Sequence, residues 1–190
     1  MTPFSEPAPQ ATAPERKLDQ FAPDGKAAGI TTQFKPLGLR YSIVIRGDDG
    51  QERDVDTTTA AAHTGPARLT VETNQDAYIQ IWKTGSASPP LLLYPEKDSG
   101  KISQKLTAGQ RQSIALPTER DRVTIRLARA PFGPITRQEG ALLDRPSPDH
   151  LQETVTGSDL TGLHEQATYV VNRDSSSTQL SVSIPAGLPN

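Results

Sequence analysis

Residues Leu39 to Arg46 alternate strictly: Leu39, Tyr41, Ile43 and Ile45 stand between Arg40, Ser42, Val44 and Arg46. A period of two sends one set toward a core and the other toward water, the pattern of a half-buried strand. Gly47-Asp48-Asp49-Gly50 follows at once. Gly and Asp accept the backbone angles of tight turns, so the run closes like the first arm of a hairpin with polar Gln51–Asp56 as its partner.

The same grammar recurs. Ala67–Thr73 alternates through Leu69 and Val71, and Ala77–Lys83 puts Ala77, Ile79 and Ile81 on one face. Only Asn74-Gln75-Asp76 separates the two, which predicts a hairpin. Leu91–Tyr94 is a short apolar strand closed by Pro95, followed by Gln112–Leu116 and Arg122–Ala128. Ala167–Asn172 and Gln179–Ile184 are again strand-like, and the polar Arg173–Ser177 stretch between them predicts a second hairpin. Ile43, Ile45, Leu69, Val71, Ile79, Ile81, Val123, Ile125 and Leu127 are expected to form one core. Seven to nine short strands separated by turns predict an all-β, antiparallel two-sheet sandwich.

Two stretches break the pattern. Residues 1–36 are rich in Pro, Ala and Thr and are predicted to be a disordered tether, because such a composition buries too little surface to offset chain entropy. The expected reading of this tether is a segment that follows a membrane anchor; a natural N-terminus is the other. The sandwich is then assigned to 37–187. From 131 to 166 the sequence turns polar, with Leu142, Leu143, Leu160 and Leu163 as its main apolar residues. A surface excursion is predicted there, with one short helix near Gly140–Leu143 or Pro148–Glu153.

The strand segments Leu39–Arg46, Arg68-Leu69-Thr70-Val71-Glu72, Asp76–Ile81 and Leu91-Leu92-Leu93-Tyr94-Pro95 resemble a bacterial domain of unknown function. That domain occurs beside Ser/Thr kinases, caspase-like peptidases and membrane-anchored anti-sigma-type proteins. Ala77 stands where that family often has Gly, and Tyr94 where it often has Phe. Ala167–Asn172 and Val182–Pro185 are similar to its closing strands. The resemblance covers about 37 to 130, with 167 to 185. It implies an immunoglobulin-like sandwich acting as a non-enzymatic accessory in the periplasm or at the cell surface, with the cytoplasm as the alternative, and it carries over no catalytic residue.

Chemistry-bearing residues are sparse. The chain has no Cys, which removes disulfides, thiolate catalysis and cysteine-ligated zinc together. His63, His150 and His164 lack the i, i+2 or i, i+4 spacing that brings two imidazoles to one metal. Asp48, Asp49, Asp54 and Asp56 invite a calcium reading, but their spacing lacks the helix-flanked loop with its closing Glu. Ser42, Ser113 and Ser158 have no Gly-x-Ser-x-Gly context, and no glycine-rich phosphate loop is present. The expectation is no enzyme, no cofactor and no metal. An enzyme would need residues such as Asp54, Asp56, His63, Glu119 and His164 to converge in space.

Partners follow from composition. The net charge is −2 and the Lys and Arg residues are spread out, so no concentrated basic face points to nucleic acid. No run approaches the roughly 20 apolar residues of a membrane span. A protein partner remains, either captured by a tethered module or as a neighbour in an extracytoplasmic surface or filament assembly. Tyr78 and Trp82 alternate opposite Ile79 and Ile81, and as an exposed aromatic strip they are the predicted partner-binding residues. The competing placement puts Trp82 beneath the 131–166 segment, in a satellite cluster.

Overall fold

A computed structural model describes residues 35–61, 63, 65–85, 89–117, 122–143, 145–147, 149–158 and 164–185. Residues 1–34 of the expected tether, Glu119, Leu160 and Leu163 lie outside the described residues, as do the side chains of Ser158 and His164. Lys35 and Pro36, the last two tether residues, are bonded to the sandwich through their carbonyls, which accept from Arg129 Nη2 at 2.7 Å and Asn74 Nδ2 at 2.9 Å. Eleven strands are described: β1 Gly38–Arg46, β2 Glu52–Val55, β3 Ala67–Thr73, β4 Ala77–Thr84, β5 Leu91–Tyr94, β6 Gln104–Leu106, β7 Gln112–Ala115, β8 Arg122–Ala128, β9 His150–Ser158, β10 His164–Asn172 and β11 Gln179–Pro185. Two short helices, α1 Thr57–Ala61 and α2 Arg137–Gly140, complete the regular structure with one 3-10 turn at Lys97–Ser99.

The strands form two antiparallel sheets. One runs β7-β3-β1-β10-β9, with β2 beside the second half of β1; the other runs β11-β8-β4-β5, with β6 beside the first half of β4. The fold is therefore the all-β two-sheet sandwich that the alternation predicts. Leu39, Tyr41 and Ile43 of β1 and Leu69 and Val71 of β3 bury against Ile79 and Ile81 of β4 and Val123, Ile125 and Leu127 of β8. Ile45 lies at the margin of that core, where β1 runs out beside the turn to β2. Tyr94 Oη donates to Gln112 Oε1 at 3.2 Å, tying the edge of one sheet to the edge of the other.

The β1–β2 hairpin forms as its turn residues dictate. Gly50 takes φ +78°, and its amide donates to the Gly47 carbonyl at 2.9 Å.

The other two expected hairpins do not form. β3 pairs with β1 and β7, whereas β4 pairs with β5, β6 and β8, so residues 74–76 carry the chain from one sheet to the other. Asn74 fixes this corner by turning away from β4: its Oδ1 accepts from the Gly38 amide at 2.8 Å and its Nδ2 donates to the Pro36 carbonyl at 2.9 Å. Likewise β10 pairs with β1 and β9 while β11 pairs with β8. Asn172 Nδ2 reaches the Gln179 carbonyl at 3.1 Å across that second crossing.

The described part of the 131–166 stretch holds a strand where none is expected. Its second part is the nine-residue strand β9, matched residue for residue with β10 from His150↔Asn172 to Ser158↔His164. Its first part lies against the outer side of the β11-β8-β4-β5 sheet. The Arg126 guanidinium sits 4.6 Å from the Phe132 ring centre, and the Phe132 amide donates to Ser103 Oγ at 3.2 Å. The chain continues past Pro90, which lines a hollow with Ile135 and Gly140, and returns to β11. There the Ser147 amide donates to the Ser181 carbonyl at 3.0 Å, and Ser147 Oγ accepts from the Ser181 amide at 2.9 Å. The short helix begins earlier than expected because Thr136 and Glu139 form a reciprocal capping box.

Candidate functional site: an open sheet edge

The expected Tyr78–Trp82 strip is not an exposed surface. Trp82 is only 7% exposed. Its Nε1 donates to Gln80 Oε1 at 3.1 Å, and the same oxygen accepts from Arg126 Nη1 at 3.2 Å. Gln80 Nε2 donates to the Ile102 carbonyl at 2.9 Å, so this fully buried amide is satisfied at both ends. Trp82 and Leu143 are both buried yet lie outside the inter-sheet core. Trp82 is thus buried on the outer face of its sheet, the face on which Phe132 of the 131–147 segment packs against Arg126. Burial of Arg126 lowers its pKa, and the Phe132 ring and Gln80 amide take the place of lost water. Tyr78 is half-buried on the same face.

Several of the residues weighed for metal and acid–base chemistry are engaged locally. Asp54 Oδ1 accepts from Ser42 Oγ at 2.6 Å, and Asp56 Oδ1 accepts from the Thr59 amide at 2.7 Å in the first turn of α1. Asp49 pairs with Arg53 and accepts from the Gln51 amide, and that backbone bond foremost lowers its pKa. His150 Nδ1 lies 2.5 Å from the Ser147 carbonyl. His63 Nε2 is buried without a hydrogen-bond partner. Among the described residues, no three His, Asp or Glu side chains come together as a metal site.

The surface feature that composition did not announce is the ribbon of β9 and β10. Leu151 is 53% exposed, Val155 44%, Tyr169 44% and Val171 37%. The register sets Leu151 opposite Val171, Glu153 opposite Tyr169 and Val155 opposite Ala167, so these side chains share the outer face of the sheet. Beside them Gly38, Arg40, Glu72, Arg111, Tyr169 and Val171 help to line a groove of about 310 Å³. On the inner face the ribbon is polar apart from Val170, which enters the core: Thr154 Oγ1 and Thr168 Oγ1 are 3.0 Å apart, and Gln166 Nε2 donates to Thr156 Oγ1 at 3.3 Å. β10 bonds to β1 only over Thr168–Val171, so the His164–Ala167 half pairs with β9 alone.

Among the described residues, β9 is also the long edge of the sandwich with no strand on its outer side. β2, β5, β6 and β7 each have three or four residues, and β5 is flanked by Pro89, Pro90 and Pro95. The outer edge of β11 is engaged at Ser181 by Ser147. β9 runs nine residues without Lys, Arg or Pro and pairs with β10 at every position without a register shift. Edge strands are usually blunted by shortness, charge, proline or bulges, and β9 carries one charged residue, Glu153. The signal in the sequence was faint but real. Leu151 and Val155 stand four apart in a polar run, and Ala167-Thr-Tyr-Val-Val is apolar on both faces, which a strand with one solvated face is not.

Comparison with protein-family models, curated proteins and solved structures finds no match. The resemblance to the bacterial accessory domain therefore rests on its strand residues alone.

Proposed function

We propose that this chain is a non-catalytic protein-binding module that captures an extended segment of a partner along the free edge of β9. The observation that carries the reading is the coincidence of two features on one ribbon. A long, regular, unguarded edge presents the backbone groups of every second residue outward, and an exposed apolar stripe lies directly beside it. Strand addition takes its affinity from main-chain hydrogen bonds and its selectivity from alternate side chains, and β9 supplies both.

β10 is anchored to β1, and β1 lies at the centre of its sheet. The same edge also favours a second reading, a component of a surface or filament assembly in which the added strand comes from a neighbouring copy.

The test is selection of displayed random peptides on the full-length chain, followed by affinity measurement on the L151K/V155K double variant. Selected peptides should lose at least about tenfold in affinity, the scale of an interface anchor worth more than about 1 kcal/mol. Bound peptide should also slow amide exchange in 150–158. Peptides that bind both proteins equally, without protecting that strand, place the binding surface elsewhere. A concentration-dependent rise in mass that the double variant abolishes favours the assembly reading.

A further inference from the structure

We infer that the segment captured by β9 carries a basic residue flanked two positions away on each side by apolar residues. The inference rests on the reading of β9 as a strand-accepting edge and supplies the chemistry of the strand it accepts.

Residues facing one another across neighbouring strands form rows on the outer face of the sheet. One row runs Glu153, Tyr169, Arg40, Glu72, from β9 through β10 and β1 to β3. Arg111 extends it, its Nε lying 3.4 Å from Glu72 Oε2. Charge therefore alternates along the row, with Tyr169 interposed, and the row ends on the exposed Glu153 carboxylate. On the same face of β9, two residues to either side, stand Leu151 and Val155, both about half exposed. A strand added outside β9 prolongs each row by one place. Opposite Glu153 a Lys or Arg continues the alternation, whereas an acid sets like charges face to face. Opposite Leu151 and Val155, apolar side chains cover the stripe. The pattern apolar-x-basic-x-apolar is symmetric, so it serves either strand direction.

A second copy of β9 does not fit the pattern. The antiparallel register that sets Leu151 against Val155 of the other copy also sets Glu153 against its own counterpart. Sliding by two residues relieves that repulsion but puts Glu153 against an apolar side chain. Sliding by one turns the two stripes to opposite faces.

The experiment is fluorescence anisotropy of the full-length chain with labelled, end-capped heptapeptides, Thr-Val-Thr-Lys-Thr-Val-Thr and its counterpart with Glu at the centre. The Lys peptide should bind about tenfold tighter, the combined effect of gaining an opposed pair and avoiding a like pair. Glu153→Lys should reverse the order, and Glu153→Gln should abolish the preference. N-methylation of alternate peptide amides should abolish binding in one of its two phases. Equal binding of both peptides, with N-methylation still destructive, overturns the motif and leaves the edge reading standing. Binding indifferent to N-methylation in both phases, or absent for both peptides, overturns the motif and the edge reading together. Sedimentation showing that a second copy occupies β9 overturns the motif as well.

Discussion

Gly38 and Asn74 hold each other through two hydrogen bonds: the Gly38 amide donates to Asn74 Oδ1 at 2.8 Å, and the Asn74 amide donates to the Gly38 carbonyl at 3.1 Å. This pairing turns the chain out of β3 at the corner where it leaves one sheet for the other. It also explains why a glycine begins β1, since a Cβ there would lie 2.7 Å from Asn74 Nδ2. Asn74→Ala should cost about 1–3 kcal/mol, because the Gly38 amide loses its side-chain acceptor and the Pro36 carbonyl loses one of two donors, keeping Gln75 Nε2 at 3.1 Å. Gly38→Ala should be damaging in the native background and much milder once Asn74 is Ala. A double-mutant cycle by urea unfolding checks this, and strictly additive losses would refute the mutual fit.

The inter-sheet core gives a graded series. Ile79 and Ile125 are fully buried, whereas Ile45 is only partly buried at the end of β1. Ile79→Ala and Ile125→Ala should each cost about 2–5 kcal/mol, and Ile45→Ala distinctly less. Chemical denaturation of the three variants decides it, and a loss at Ile45 equal to the others contradicts the placement of the core.

The strand runs and their inward faces were legible because Leu39, Ile43, Leu69, Val71, Ile79 and Ile125 advertise burial by simple alternation. Which strand pairs with which was not. Two alternating runs with a short polar link look the same whether they fold back as a hairpin or cross to the opposite sheet. The choice at 74–76 is made by Asn74 bonding to residues 36 and 38, a relation of long sequence separation. β9 escaped notice for a different reason. Its residues from Leu151 to Gly157 are all exposed, so nothing in their composition had to be apolar. For Trp82 the alternation leaves two placements open, because whether the face opposite Ile79 and Ile81 meets water depends on what crosses it, and part of the 131–147 segment lies over that sheet.

Trp82 is the sole tryptophan, so its environment can be read directly. Its fluorescence should be blue-shifted and weakly quenched by acrylamide, as for a shielded indole. Trp82→Ala should cost about 3–5 kcal/mol. Trp82→Phe should cost less, since it keeps an aromatic ring in place while giving up part of the indole's volume and the hydrogen bond to Gln80. A solvent-like emission maximum, or a Trp82→Ala protein that melts like the native one, would return this residue to the surface.

Asp76 and Lys105 illustrate the expected pH dependence. Their side chains meet at 2.9 Å, and Asp76 Oδ1 also accepts from the Ala108 amide at 3.1 Å. The Lys105 bond foremost lowers the Asp76 pKa, and the same bond raises that of Lys105. A carboxyl whose folded pKa is depressed stabilises above its unfolded value and loses that contribution as pH falls through the folded one. An ammonium whose folded pKa is raised stabilises below its unfolded value and loses it as pH climbs through the folded one. The pair should therefore support stability between the ordinary carboxylate and lysine ranges. Asp76→Asn should flatten the acid limb of a plot of melting temperature against pH, and an unchanged acid limb speaks against the pairing. The effect should be small, because both groups are half exposed.

The last prediction concerns β9 in the isolated protein. In an antiparallel ladder successive residues of an edge strand point their amides alternately to the neighbouring strand and to solvent. β9 is matched to β10 at all nine positions, so the alternation should run unbroken from His150 to Ser158. Amide exchange followed residue by residue should accordingly be slow, fast, slow along the strand, with the fast set comprising the groups available to an added strand. A captured peptide should slow that set and leave the others nearly unchanged. Leu151→Lys with Val155→Lys should preserve the pattern and shift stability by no more than about 0.5 kcal/mol, because both side chains are about half exposed. Uniform protection of β9 in the unliganded protein would mean that its edge is already covered in solution, and uniform rapid exchange would mean that the β9–β10 ladder does not persist there.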